Sequence, residues 1–279
     1  MPQVELSAGT IEYEDTGGDG PVVVLLHGLA MNSSVWHEVV ADLRTDYRCV
    51  LPTLPLGGHR IPMRPEADLS LRGLVRLVAE FLDTLGMRDV TLVGNDWGGA
   101  QLLVTEGVDE RVGRLVLTAC EAFDNYPPGI AATMMARLAK LPGGMRLVLP
   151  GFRVRPLRSL PIAWGGMSKR GLSDEVLDAW FHPLLTSSAI QRDFRKYVTS
   201  VPSRRTLLDW AGQQARFDRP VLVVWATEDR LMPRDHGRRL ANLFPKGRLV
   251  EIADSYTLVP LDQPAEFVAA LREFLTETG

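Results

Sequence analysis

The sequence has little cysteine, little histidine and no long apolar run. Its 279 residues include two cysteines and five histidines, and none of them has the spacing of a disulfide framework or a metal site. No apolar run reaches the ~20 residues that a membrane-spanning helix needs. The formal net charge is only -3, which gives no electrostatic reason to expect a nucleic acid or a membrane as a partner. The first residues lack a basic region followed by an apolar one, so we expect no secretory signal and a cytoplasmic location.

Glycine-rich phosphate loops are absent too. The glycines between positions 94 and 99 are followed by no Lys-Ser/Thr pair and do not have the spacing of a dinucleotide fingerprint. We therefore expect no metal, no cofactor and a small-molecule substrate, handled by a monomer or a homodimer. Cys49 and Cys120 lie in apolar runs typical of buried strands, which predicts two structural free thiols.

Apolar runs alternate with amphipathic helical patterns through the first 120 residues. Residues 22–26 form a continuous apolar run, typical of a strand buried on both faces. This alternation predicts an α/β fold with a mostly parallel, eight-stranded sheet and helices on both faces. After Phe123 the alternation stops, and short helices broken by Pro and Gly follow until a strand pattern resumes at Pro220. The predicted organisation is a core of residues 1–123 and 206–279 with a helical cap, residues 124–205, inserted between them.

The most informative stretch is the predicted strand, turn and helix around Asp96. Gly94 lies two residues before Asp96 and Gly98 two residues after it, and a side chain can stand on so tight a turn only if its neighbours lack bulk. The pattern resembles the nucleophile elbow of the α/β-hydrolase fold superfamily. Asp followed by Trp-Gly-Gly resembles the haloalkane dehalogenase and epoxide hydrolase branch, in which this Asp is the nucleophile. An ordinary turn with an N-capping Asp is the alternative.

The resemblance extends to the loop after the third strand. His27-Gly28 is similar to the start of the family's oxyanion loop, which implies that the backbone N–H groups of Leu29 and Trp97 converge on one oxygen. Dehalogenases often carry Asn after His-Gly, and epoxide hydrolases often carry His-Gly-x-Pro. This chain has Leu29 and Ala30 instead, so neither substrate class is supported there.

The acid of the resembled catalytic triad has two candidates. Asp229 follows the strand after the cap, and Glu121 follows the strand before it. The resemblance favours Asp229, whereas turn formation is the alternative role for Asp229 and a salt bridge with the cap the alternative for Glu121.

The histidine of the triad is missing. The loop of residues 253–264 matches the family's histidine loop at both ends, but Thr257 occupies the histidine position and Tyr256 the position of a glycine. A threonine hydroxyl cannot act as a base near neutral pH, and losing a general base usually costs roughly 10²–10⁴ in rate. An ester on Asp96 would then be trapped. His182 and His59 are the candidate substitutes, although a solvated or packed histidine is the stronger expectation for each.

The expected substrate contacts are aromatic or polar side chains of the elbow, the cap and the histidine loop. They are Trp97, Tyr126, Trp164, Trp180, His182, Tyr197 and Tyr256. Epoxide hydrolases use cap tyrosines to donate hydrogen bonds to the epoxide oxygen, and the resemblance implies this role for Tyr126 or Tyr197. For most of these aromatic residues, core packing is the alternative. The arginines between positions 146 and 158 predict a solvated face, with an anionic substrate as the alternative.

Three functions follow from these patterns. The first is a hydrolase-like enzyme that acts on a small, largely apolar substrate through Asp96 as nucleophile or base. The second is a lyase, isomerase or cyclase that uses the same pocket. The third is a ligand-binding protein with a relic site. Fold alone does not decide among them.

Overall fold

One sheet of eight strands organises the chain, and the predicted fold class is confirmed. The computed structural model describes all of residues 1–279. The strands are β1 Gln3–Leu6, β2 Gly9–Asp15, β3 Val22–Leu26, β4 Arg48–Pro52, β5 Val90–Asp96, β6 Val112–Cys120, β7 Val221–Ala226 and β8 Gly247–Ile252. Their order in the sheet is β1-β2-β4-β3-β5-β6-β7-β8.

The first two strands form an antiparallel hairpin at one edge, and β2 is also antiparallel to β4. The remaining neighbours are parallel. Strands β5 and β7 are buried along their whole length, because helices cover both faces of the sheet. Parallel strands in such a position are apolar throughout rather than alternating.

Thirteen α-helices accompany the sheet. They are α1 His37–Leu43, α2 Leu71–Thr84, α3 Leu102–Glu106, α4 Gly129–Lys140, α5 Met145–Val148, α6 Pro150–Arg153, α7 Arg155–Arg158, α8 Asp174–Thr186, α9 Ser188–Thr199, α10 Arg204–Gln214, α11 Arg234–Leu243, α12 Val259–Asp262 and α13 Pro264–Thr278. Short 3₁₀ helices cover Ser33–Trp36, Gly98–Gln101 and Trp164–Gly166.

Helix α2 illustrates how local sequence defines these elements. The Ser70 side chain accepts a hydrogen bond from the Gly73 N–H and caps the first turn. Eight residues on one side of the helix are buried. The chain leaves the helix through Gly86, whose φ of 64° is the left-handed conformation that glycine tolerates best.

Helices α4 to α10 lie between β6 and β7, where the sequence predicts a cap. Helix α10 contacts α3 next to the sheet. The division into core and cap at residues 124 and 205 stays a prediction. Both thiols, Cys49 and Cys120, are buried and unpaired, as expected. None of the helices combines the length and apolar content needed to cross a membrane.

Candidate active site

Asp96 ends β5 in a strained backbone conformation. Its φ is 63°, which is uncommon for a residue with a side chain. A Cβ atom at Gly28 would lie 2.1 Å from Asp96 Oδ2, and one at Gly98 would lie 2.3 Å from the Glu121 carbonyl oxygen. Glycine at both positions therefore lets the oxyanion loop and β6 approach the Asp96 turn closely.

The two predicted N–H donors are placed differently. The Leu29 N–H donates to Asp96 Oδ2 at 3.1 Å, so it holds the carboxyl group itself. The Trp97 N–H donates to the Asn95 carbonyl oxygen at 2.7 Å, because the chain turns tightly at Asp96. The two N–H groups therefore bond different protein oxygens here, and their convergence on a substrate oxygen stays a prediction.

His27 supports this loop as a neutral imidazole. Its Nε2 accepts a hydrogen bond from the Leu54 N–H at 2.8 Å, which assigns the proton to Nδ1, 2.8 Å from the Gly28 carbonyl oxygen. Complete burial lowers the pKa of His27 to about 4. His27 therefore acts as a support of the oxyanion loop.

Thr257 and Asp229 keep the geometry of an acid paired with its partner. Thr257 Oγ1 donates to Asp229 Oδ1 at 2.9 Å, and the N–H groups of Leu231 and Met232 donate to the same oxygen. Asp229 Oδ2 is buried without a partner. Burial raises the pKa of Asp229 to about 6, against the lowering effect of these donors. Neither Thr257 nor Asp229 lines the main cavity.

That cavity has a volume of about 410 Å³ and reaches Asp96. Of its 27 lining residues 21 are hydrophobic, so it suits an apolar ligand. The ionisable side chains of the lining are Asp96, Glu121, Tyr126 and Tyr197, and the lining contains no Arg, Lys or His. The cavity therefore holds two carboxyl groups and no basic side chain.

The two carboxyl groups lie at the ends of neighbouring strands. The Glu121 N–H donates to the Asp96 carbonyl oxygen at 3.0 Å, and Glu121 Oε2 accepts from the Gly98 N–H at 3.2 Å. Burial, supported by the nearby charge of Asp229, raises the pKa of Asp96 to about 7, although the Leu29 N–H opposes it. Burial and the charge of Asp96 raise the pKa of Glu121 well above its usual range. Glu121 therefore faces the cavity beside Asp96, with a raised pKa. Asp229, the favoured triad acid, pairs with Thr257 at the histidine position, and the choice between the two acids stays a prediction.

None of the five histidines lines the cavity. His182 is exposed on α8, and its role as a substrate contact stays a prediction that the cavity lining does not support. His59 is buried between Gly57, whose N–H donates to Nδ1, and Asp193 of α9, whose Oδ2 lies 3.4 Å from Nε2. Its partners hold it in the packing of α9 against the loop after β4.

Three predicted aromatic contacts do line the cavity, namely Tyr126, Trp164 and Tyr197. The rings of Tyr126 and Tyr197 meet edge to face, 6.5 Å apart. Burial raises the pKa of both hydroxyls well above the usual range. These hydroxyls stay neutral and remain available as hydrogen-bond donors.

The other three predicted aromatic contacts, Trp97, Trp180 and Tyr256, do not line this cavity, so their role as substrate contacts stays a prediction. The indole N–H of Trp180 donates to Ser34 Oγ at 2.8 Å, which holds the ring inside the protein. The guanidinium of Arg230 lies 4.4 Å from the centre of the Tyr256 ring. The Trp97 ring packs against Gly99 with its N–H buried and unpartnered.

Asn95 is a residue of the site that the sequence reasoning missed. Its Nδ2 donates to the carbonyl oxygens of Thr118 at 3.0 Å and Thr257 at 2.7 Å. It thereby ties the Asp96 turn to the loop that carries Thr257. An amide in an otherwise apolar strand was the available signal. No group of three or more His, Cys, Asp or Glu side chains is placed to hold a metal ion.

Known proteins share this architecture. A family model described as alpha/beta hydrolase fold matches residues 21–264. The chain is 27% identical to a haloalkane dehalogenase of Mesorhizobium japonicum over 276 residues, which is 97% of this chain and 80% of the relative. It is 26% identical to a 2-hydroxy-6-oxononadienedioate/2-hydroxy-6-oxononatrienedioate hydrolase of Burkholderia vietnamiensis over 86% of this chain and 81% of the relative. A solved alpha/beta hydrolase fold protein from Burkholderia ambifaria superimposes with a TM-score of 0.75 and 25% identity, over 98% of this chain and 97% of that one.

Proposed function

Because the chain belongs to the alpha/beta hydrolase fold family, we propose that it is an enzyme acting on a small, largely apolar substrate by general acid–base catalysis. Asp96 is the base and Glu121 the acid. One observation carries the proposal: two carboxyl groups in different environments line one apolar cavity that contains no basic side chain. Pairs of titratable groups whose surroundings separate their pKa values mark acid and base roles.

Asp96 has the properties of a base that operates near neutral pH. Its pKa of about 7 lies close to the working range in which a general base is most effective. The Leu29 N–H holds Oδ2, and Oδ1 accepts no hydrogen bond from the protein. Oδ1 is therefore the oxygen assigned to proton transfer.

Glu121 has the properties of a proton donor. Two carboxylates that share an apolar cavity repel each other, so one of them keeps its proton. Burial and the charge of Asp96 raise the pKa of Glu121 well above its usual range, so Glu121 is assigned as the carboxyl group that keeps the proton. The hydroxyls of Tyr126 and Tyr197 line the same cavity and are assigned to orienting the substrate oxygen.

An epoxide illustrates a balanced reaction. Asp96 removes a proton from a water molecule, the water oxygen bonds to a ring carbon, and the carbon–oxygen bond breaks. The released oxygen takes the proton of Glu121, which gives a diol. The proton on Asp96 then returns to Glu121, and no ester forms that would need a histidine. With a carbonyl substrate the same pair would move a proton between carbon and oxygen, which is the lyase or isomerase alternative.

Nucleophilic attack by Asp96 is the second candidate. The strained turn and the Leu29 N–H on Oδ2 favour it, and so does the similarity to a haloalkane dehalogenase. In this case the ester on Asp96 would persist, because no histidine lines the cavity and a threonine hydroxyl is no base.

A single-turnover experiment separates the two. The protein is incubated with styrene oxide, or with an alkyl bromide, in water enriched in heavy oxygen, and product and intact protein are weighed by mass spectrometry. The proposal expects a labelled diol from the epoxide, or a labelled alcohol with release of bromide from the alkyl bromide, together with an unmodified protein. Thr257→His should not raise the rate. A stable adduct on Asp96 that Thr257→His clears would contradict it in favour of the nucleophile.

Two substitutions test the assigned roles. Glu121→Gln should lower kcat by roughly 10²–10⁴-fold with an intact fold, because the amide cannot donate a proton. Glu110→Gln, at an exposed glutamate outside the cavity, is the matched control and should leave kcat unchanged. Tight binding of apolar ligands without turnover of any epoxide, halide or enolisable ketone would instead favour a binding protein.

A further inference from the structure

The exposed apolar side chains of this protein are concentrated in one segment. Ten large apolar residues are exposed, and eight of them lie between positions 130 and 162. We call these eight the apolar rim: Ile130, Met134, Leu141, Leu147, Val154, Leu157, Leu160 and Ile162. Clusters of this kind on a protein surface mark sites of interaction with other molecules or membranes.

The apolar rim borders the cavity. Five of its members also line the cavity that reaches Asp96: Met134, Leu147, Leu157, Leu160 and Ile162. Each of these side chains is at least 41% exposed, so each contributes both to the outer surface and to the inner wall. They come from α4, α5, α7 and the segment after α7, so several elements meet at this border of the cavity.

The chain segment that carries the apolar rim contains charged side chains of a single sign. Residues 125–173 contain eight Lys and Arg and no Asp or Glu, although the whole chain has a net charge of -3. Four of these cations are paired with carboxylates outside the segment, for example Arg158 with Asp174 and Lys169 with Glu228.

The other four cations form no ion pair. They are Arg137, Lys140, Arg146 and Arg153, and all four are exposed. Free cations that alternate with exposed apolar side chains are typical of surfaces that lie in the interface of an anionic bilayer.

We propose that the apolar rim and its four free cations dock this protein on an anionic lipid surface, so that an apolar substrate passes from the bilayer into the cavity. The rim residues enter the boundary between headgroups and acyl chains, and the cations contact the lipid phosphates. The rest of the molecule carries net negative charge, so an anionic bilayer orients this face toward itself. The proposal replaces the expectation of no membrane partner, which rested on the net charge of the whole chain. That net charge does not reveal a single segment in which the positive charges are concentrated.

A second copy of this chain fits the surface less well. A symmetric dimer places the same patch of each subunit against the other, and here that would bring the four unpaired cations of one subunit against the same four of the other. An anionic lipid surface instead supplies the opposite charge.

Vesicle co-sedimentation tests the proposal with the unmodified chain. The protein should sediment with phosphatidylcholine vesicles that contain phosphatidylserine, remain free with phosphatidylcholine alone, and be released as salt is added. Arg137→Ser/Arg146→Ser should weaken binding by about twenty-five-fold, since each cation near such a surface changes affinity about fivefold. Leu147→Ser/Ile162→Ser should also weaken it, by loss of apolar burial.

The matched control removes two cations elsewhere. Arg44 and Arg88 are exposed and form no ion pair. They precede β4 and β5 and so lie near the amino-terminal ends of these strands, whereas Asp96 lies at the carboxyl end of β5. Arg44→Ser/Arg88→Ser should bind vesicles as the unmodified chain does, and so should Asp96→Asn, which makes the result independent of the proposed activity. Three outcomes would each overturn the proposal. They are failure of the protein to bind phosphatidylserine vesicles, an equal loss of binding in the two arginine pairs, and a solution dimer that the rim substitutions dissociate.

Discussion

Asp96 shows how a single residue can lower stability in order to serve a site. Burial raises the pKa of Asp96 from 3.8 to about 7. Between these two pH values the folded chain keeps a proton on Asp96 that the unfolded chain has already lost. The unfolded state then carries fewer protons, and the free energy of unfolding falls as the pH rises from about 4 to about 7. Above pH 7 the buried carboxylate is charged and the loss is complete.

Removing this charge should stabilise the protein. Asp96→Asn keeps the shape and the acceptor for the Leu29 N–H, and Asn tolerates a φ of 63° well. We expect the free energy of unfolding to rise by on the order of 2–4 kcal/mol at pH 8 and the gain to shrink toward pH 4. Urea unfolding across this range measures it, with Asp235→Asn at an exposed site as the control. A gain independent of pH would show that ionisation of Asp96 is not its cause.

Individual residues also mark what sequence could and could not predict. The glycine spacing around Asp96 and the histidine position occupied by Thr257 are local, so a sequence reveals them. Whether Glu121 or Asp229 faces the cavity depends on side-chain direction at the ends of two strands that reach the same sheet edge. His182 and Trp180 do not line the cavity, and a helical pattern alone does not say which face of α8 meets it.

At the scale of elements, the close approach of the loop after β3 to the end of β5 depends on Gly28. A methyl group there would lie 2.1 Å from Asp96 Oδ2, so Gly28→Ala must push the loop or the carboxyl group away. We expect kcat/KM to fall by roughly 10²-fold, as for other misplacements of about 1 Å. The measurement is steady-state kinetics on the substrate identified in the single-turnover experiment.

A helical glycine provides the comparison. Gly212 lies in α10, and a Cβ atom there would meet nothing within 4 Å. Gly212→Ala should leave kcat/KM unchanged and raise stability by up to about 1 kcal/mol. Equal kinetics for both alanine variants would contradict the role given to Gly28.

At the scale of the whole molecule, Asp193 joins α9 to the loop after β4. It is fully buried, and its Oδ2 accepts from the Met63 N–H at 2.8 Å and lies 3.4 Å from His59 Nε2. Asp193→Ala should lower the free energy of unfolding by about 3 kcal/mol, because a buried N–H is left without an acceptor. Chemical unfolding measures this loss.

A surface aspartate is the control for this prediction. Asp209 lies 3.9 Å from Arg205 on α10, and both side chains are largely exposed. Asp209→Ala should change stability by no more than about 0.5 kcal/mol. A similar loss in both variants would mean that the Asp193 contacts do not hold α9 in place.

The double membership of Leu147 and Ile162, in the apolar rim and in the cavity wall, has a consequence for how this protein can be altered. A substitution at either position that adapts the cavity to a bulkier or more polar compound also changes an exposed side chain on the outer surface. Ligand preference and surface chemistry are therefore inherited together. Directed evolution that selects only for new turnover would therefore also change the solubility of the protein and its binding to surfaces. Conversely, neither of these exposed side chains can be replaced without changing the wall of the cavity.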